Sequence, residues 1–392
     1  SGQLENSLVR WMILVLAGST LVDYFFLGKY RVLLTANQEG YVVALIQAAG
    51  TIVNMVVSIF LIYIGAGVLF VKAVATGVYM LRLVLVKIYA KRKYPALDFY
   101  AEPNEGALKQ KNAALLHQVV GIIVNNTDTT VLTICLGAKS LLEVSVYGIY
   151  MMVVNAVNQL MTSFSNGLTA GFGEVIAKNE EETLKKSYSS YEYMYFVIMF
   201  IVIACMGVLI LPFVGVYTIN LTDVQYVRPV LGILFTLIVF MQNVRIPGLT
   251  IICAAGHYKE TRYQAILEAV INITVSLGLV WKFGMAGVLL GTVCSYGYRS
   301  FEIVFYTSRH LVKGCAKKSM FRILRNVFTV AILCTVGTYV IPQEITSFTT
   351  WFLYAIGMGL TSVFSVVVIN YVVEPDEFMQ LRHRVNDIIK KE

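Results

Sequence analysis

Asp128 and His117 are the residues of this sequence with the strongest reason to do chemistry. Both fall in an apolar run, and with Gly121 and Asn125 they recur at i, i+4, i+8 and i+11, one face of a helix. An ionisable group inside a membrane is costly and faces a cavity or a partner. The stripe therefore reads as the wall of a water-filled cavity, where Asp128 or His117 exchanges a proton or helps hold a cation. Hydrogen bonding between packed helices is the alternative for the same residues. Glu268 stands with Gln264, Asn272 and Ser276 at strict i+4 spacing. It is either a second coupling carboxylate or a solvated group near a helix end. Asn155, Gln159, Thr162 and Asn166 make a third one-faced stripe with no ionisable member, suited equally to packing and to cavity lining.

Cations form the complementary set. Lys72, Arg82, Arg245 and Arg299 all interrupt apolar runs, and Arg245 sits in Asn243-Val244-Arg245-Ile246-Pro247-Gly248. A proline there frees backbone groups and kinks a helix. Facing inward, these cations suit a phosphate or pyrophosphate, for which arginine offers a bidentate fork. The competing explanations are snorkelling to the lipid headgroups for Arg82 and an i, i+3 pair with Glu302 for Arg299.

The elements that must position these groups are membrane spans. Hydrophobic residues make up 57 % of the chain and charged residues 14 %, with a mean hydropathy of +0.71, which excludes an ordinary soluble domain. About 20 apolar residues cross the hydrocarbon core as a helix. Eleven such runs are predicted, at 8–28, 41–63, 66–86, 113–136, 145–172, 191–216, 227–253, 263–281, 285–307, 324–341 and 349–373. They are too long and too continuously apolar for the strands of a membrane β-barrel. The fold class expected is an all-α polytopic bundle.

The net charge of +8 is not a nucleic-acid signal, because its distribution alternates. Of the 31 basic residues, 23 fall on one side: Lys29 and Arg31, the Lys87–Lys111 stretch, Lys178–Lys186, Lys259 and Arg262, Arg309–Arg325, and the tail. The opposite loops hold Lys139 and Lys282, with Arg228 at the edge. The positive-inside rule makes the basic side, and the C-terminus with it, cytoplasmic. The six cysteines show no paired spacing in an outer loop, so free thiols and no metal site are expected. No Walker A sequence, Gly-rich nucleotide loop or HExxH occurs, and no cofactor is implied.

An internal echo organises the chain. Asn54-Met55-Val56-Val57-Ser58, then Ala66-Gly67-Val68-Leu69, returns as Asn272-Ile273-Thr274-Val275-Ser276, then Ala286-Gly287-Val288-Leu289. Repeats at such a distance suggest two homologous bundles. Aligning them leaves the first bundle three helices short, so the expectation is a protein of two six-helix lobes plus two helices, truncated at its N-terminus. The corresponding domains are 1–90, the last three helices of the first lobe; 91–112, a cytoplasmic linker; 113–312, the second lobe; 313–373, two additional helices; and 374–392, an amphipathic tail.

Lys109-Gln110-Lys111-Asn112-Ala113-Ala114-Leu115-Leu116-His117, with Val124-Asn125-Asn126-Thr127-Asp128, resembles the opening of the second lobe of bacterial polysaccharide flippases. Phe172-Gly173-Glu174-Val175-Ile176-Ala177-Lys178-Asn179-Glu180-Glu181 resembles their following loop. These are the Wzx-type, or polysaccharide biosynthesis, branch of the multidrug/oligosaccharidyl-lipid/polysaccharide exporter superfamily. The resemblance implies a central cavity that alternates between inward- and outward-open states in the bacterial plasma membrane. It implies an undecaprenyl-pyrophosphate-linked oligosaccharide moved to the outer leaflet for lipopolysaccharide or capsule synthesis, antiport-like coupling to an ion gradient or membrane potential, and a polysaccharide polymerase as partner. Two additional helices also occur in the related lipid II flippases.

On this reading the substrate set is Lys72, Arg82, Arg245, Arg299, Asn155 and Gln159, and the ion-coupling set is Asp128, His117, Asn125 and Glu268. A lipid II flippase or a drug or metabolite exporter of the same superfamily is the runner-up, and cationic cavity residues favour a pyrophosphate over cationic drugs. A polymerase or ligase would need a substantial outer loop, whereas each outer loop here spans about ten residues or fewer, so no enzymatic activity is expected.

Overall fold

The computed structural model describes residues 28–379, apart from 38, 96, 98–109, 138–139, 166–167 and 343, together with a few isolated positions before residue 28. Every regular element among the described residues is an α-helix. Eight helical stretches among the described residues are long and apolar enough to cross a membrane. The chain is an all-α, polytopic membrane protein. The span expected at 8–28, most of the 91–112 linker and the tail beyond residue 379 lie outside the described residues.

The chain divides into two compact units, residues 1–104 and 105–392. In the first, α1 (Gly28–Ala36), α2 (Gly40–Tyr63) and α3 (Val68–Lys93) meet around Tyr30, Leu34, Val43, Val86 and Ala90. Their basic end is tied by Lys93 Nζ, 2.7 Å from Glu39, and by the Tyr94 hydroxyl, which donates to the same carboxylate at 3.1 Å. The Lys93 hydrogen bond holds the Glu39 carboxyl below its usual range.

The second unit comprises α4 (Lys111–Cys135), α5 (Ser140–Ser165), α6 (Leu168–Ala177), α7 (Glu181–Tyr217), α8 (Pro229–Val244), α9 (Ile246–Ala254), α10 (Arg262–Phe283), α11 (Met285–His310), α12 (Ala316–Val340) and α13 (Phe348–Val373). Its core runs through Leu132, Tyr150, Val154, Phe196, Phe200, Phe235 and Val288. Lipid tails are as apolar as leucine, so helices in a bilayer associate through close packing and polar contacts rather than a hydrophobic drive. The α10–α11 hairpin illustrates both. Gly284 turns the chain at φ +56°, and Gly291 lets α11 approach so closely that a Cβ there would strike the Ser276 side chain and backbone of α10. The Ser276 hydroxyl donates to the Val288 carbonyl at 3.1 Å. The two echoed segments thus fold alike within their units, as the α2–α3 and α10–α11 hairpins, each turning at a positive-φ glycine, Gly65 and Gly284.

Helix α7 has 37 residues, roughly 55 Å at 1.5 Å per residue, against a hydrocarbon core of about 30 Å. Its first turns therefore extend past the membrane at the end that carries Lys185 and Lys186. Helices α4 and α11 are as long as the other spans but are not among the eight apolar ones. They are the two that carry Asp128 and Arg299, both buried within the unit.

Candidate functional site

A cavity of about 270 Å³ opens among α4, α8, α9, α10 and α11, and His117, Asn125, Arg245, Glu268 and Arg299 all line it. Five of the ten residues singled out from the sequence are thereby brought to one place. Arg245 reaches it because α8 and α9 break at that residue. Pro247 has no N–H to give to the Asn243 carbonyl, so the helical ladder is interrupted where the arginine leaves it. The guanidinium lies over the Tyr296 ring, 4.4 Å from its centroid.

The arginines are not free. Glu268, buried at 7 % exposure, pairs through Oε1 with Arg245 and through Oε2 with Arg299 Nε at 3.5 Å. Arg299, 2 % exposed, also pairs with Glu302 one turn on. The solvated alternative for Glu268 is thus replaced by a buried bridging carboxylate, and for Arg299 the i, i+3 pair exists alongside a contact to the cavity. Two cations meet two anions, and the group is neutral overall.

Asp128 lies deeper. Its carboxylate accepts from Thr292 Oγ1 at 2.7 Å and from the Tyr147 hydroxyl at 3.3 Å. Asn272 Nδ2 donates to Thr292 Oγ1 at 3.1 Å and to Ser295 Oγ at 3.4 Å, while Asn272 Oδ1 is buried without a partner. On the cavity wall the Tyr296 hydroxyl donates to Asn125 Oδ1 at 3.2 Å. At the other end His117 Nε2 stands 3.0 Å from the Tyr258 carbonyl, which only accepts, so Nε2 carries the proton. Arginine forks, a buried carboxylate and an oxygen-rich pocket together suit an anion at one level and a cation at the next.

The remaining sequence candidates lie elsewhere. Asn155 and Gln159 are exposed on α5 and do not line this cavity. The inward amide of α5 is Asn158, which donates to Gln242 Oε1 at 2.9 Å and accepts from Asn243 Nδ2 at 3.0 Å, while Tyr195 donates to Asn243 Oδ1 at 3.0 Å. Asn158 shares a face with the buried Tyr147, Tyr150, Val154 and Met161, and that spacing was the available signal. Lys72 and Arg82 belong to the first unit. Lys72 is exposed; Arg82 donates to Thr51 Oγ1 at 3.2 Å and lies over Tyr79. Asn166 lies outside the described residues.

A second buried ionic cluster escaped the sequence reading. Arg322, with no exposed surface, contacts Glu192 at 3.1 Å, Glu374 at 3.0 Å and Glu377 at 3.4 Å, joining α7, α12 and the segment after α13. Beside it, burial and the Glu192 charge push the Cys315 thiol up to about 11, so it is an inert thiol. All six cysteines are free.

No protein-family model matches the chain, and no curated protein matches it. What the fold defines is a multi-pass membrane protein whose set of long apolar helices fits a membrane transporter.

Proposed function

We propose that this transporter is a flippase that carries undecaprenyl-pyrophosphate-linked oligosaccharide from the inner to the outer leaflet of the bacterial plasma membrane. The observation that carries the reading is the pair of arginines, half-buried Arg245 and buried Arg299, on the wall of one cavity. A desolvated arginine fork is the group of choice for a phosphate. The resemblance of the 109–128 and 172–181 segments to polysaccharide flippases supplies the glycan. Lys72, Arg82, Asn155 and Gln159 belong to the proposed substrate path on the same grounds. The basic ends of the helices and the C-terminus lie in the cytoplasm, no covalent chemistry is performed, and a polysaccharide polymerase receives the product.

Asp128 is the proposed coupling group. An acid among Thr292, Ser295 and the unpartnered Asn272 Oδ1 takes either a proton or a small hard cation, for which oxygen ligands are the fitting donors. His117, Asn125 and Glu268, on the cavity wall beside the arginines, complete the proposed coupling set.

Alanine at Arg245, Arg299 and Lys72 together abolishes glycan export in a complementation assay on this reading, and lysine at the two arginines is milder than alanine. Unchanged export from the triple variant would refute it.

A further inference from the structure

The cavity is already occupied by an anion of the protein's own. Glu268 places one carboxylate oxygen on Arg245 and the other on Arg299, which is how a phosphate with several oxygens would bridge two guanidiniums. The three residues come from different elements: Arg245 from the α8–α9 break, Glu268 from α10 and Arg299 from α11. The site also has donor capacity that Glu268 leaves unused, since Arg245 Nε is buried with no partner. Beside it the roughly 270 Å³ of open cavity is lined by the neutral polar groups Asn125, Gln242 and Thr261.

We infer that Glu268 is a resident counter-anion which holds the Arg245–Arg299 site when it is empty and is displaced by the diphosphate of the substrate. This rests on the reading of the site as a diphosphate site and adds to it the way the site is loaded. Glu302 stays with Arg299, but without Glu268 Arg245 would be an uncompensated charge, so an empty carrier needs a stand-in. Displacement also sets specificity. An anion must reach both arginines at once and bring at least the one negative charge that Glu268 provides, and a diphosphate, with oxygens on two phosphorus atoms, spans two guanidiniums better than a single phosphate does. Exchange keeps affinity moderate, and so lets the cargo leave on the far side. Arg245 is the arm able to move, because it sits between two helices rather than inside one.

The test is calorimetric titration of inorganic pyrophosphate into the intact chain in phosphatidylcholine nanodiscs, comparing wild type with Glu268→Gln and Glu268→Asp. Removing the competitor frees roughly one charge-assisted hydrogen bond, so Glu268→Gln binds about ten- to a hundred-fold more tightly. Glu268→Asp, shorter by one methylene, tightens binding to a lesser degree and serves if the glutamine variant does not fold. Binding that is unchanged or weaker in whichever of these variants folds, with wild type still binding, overturns the counter-anion role and leaves the diphosphate site standing. No binding by wild type or either variant overturns both. Binding by Glu268→Gln alone supports the inference in its strongest form.

Discussion

Replacing Arg322 by alanine is expected to cost about 3–5 kcal/mol of stability, the price of stranding a buried charge. The magnitude follows from what the arginine holds. Its Nε donates to both oxygens of Glu374 at 3.0 and 3.2 Å. Its Nη1 donates to the Ser189 carbonyl at 3.0 Å and to Glu192 at 3.1 Å, and Nη2 to Ser189 Oγ at 3.2 Å. Without it, Glu374 keeps Arg325 and Glu377 keeps Lys318. Glu192 keeps only Ser319 Oγ at 2.6 Å and the Tyr188 hydroxyl at 3.2 Å, both neutral, at 2 % exposure. The loss therefore concentrates on Glu192. Arg322→Met combined with Glu192→Gln removes both charges and should recover most of the stability, since a buried pair removed whole is often neutral. Unfolding free energies of wild type, Arg322→Met, Glu192→Gln and the double variant, measured by steric trapping in bicelles alongside Arg322→Ala, give the coupling. A loss below about 1 kcal/mol for Arg322→Ala, or a double variant as unstable as the sum of the singles, would refute the reasoning.

Gly291→Ala should destabilise the α10–α11 hairpin by about 1–3 kcal/mol, because its Cβ meets Ser276, while Gly297→Ala on the same helix meets open space and should be silent in the same unfolding assay. Glu377 gives a pH dependence: burial raises its carboxyl, but hydrogen bonds from Lys318 and Ser189 and the nearby charges outweigh that and hold it below the usual value of 4.5. A depressed folded-state value means stability present above about pH 5 and lost as the pH falls through the folded value; the stability gap between wild type and Glu377→Gln should be flat above pH 5 and shrink below it, and a gap constant down to pH 3 would contradict this. Single cysteines at Lys186 and Thr222, in a cysteine-free background, should label from opposite sides of the membrane, Lys186 from the cytoplasm; equal sidedness would overturn the topology.

Eight of the eleven predicted spans were legible because a long apolar run has one interpretation, and the α8–α9 break because Pro247 cannot donate a hydrogen bond. The gathering of His117, Asn125, Arg245, Glu268 and Arg299 was half legible: each is expensive in a bilayer, but nothing in the spacing pairs Glu268 with two arginines on other helices. The face of α5 was misjudged for a physical reason. Asn155 and Gln159 made the polar stripe, yet the inward amide is the half-buried Asn158, hidden among the apolar residues of the packed face. Arg322 was hidden differently, as one more basic residue on the side predicted to be cytoplasmic. The polar positions Ser319, Arg322, Asn326 and Thr329 recur every three or four residues, and the structure buries that face. Such a face becomes readable only once helix α12 is seen to start at Ala316 rather than at the predicted 324.

The most direct test of the functional account is flipping itself. The intact protein is reconstituted in liposomes with fluorescent polyprenyl-pyrophosphate-linked oligosaccharide, and movement between leaflets is followed with and without an imposed proton or sodium gradient. The account predicts gradient-driven movement by wild type, its loss in Arg245→Ala/Arg299→Ala, and, in Asp128→Asn, loss of the driven component with downhill exchange retained. Failure of wild type to move the lipid-linked glycan, or movement at the wild-type rate without the two arginines, would contradict it.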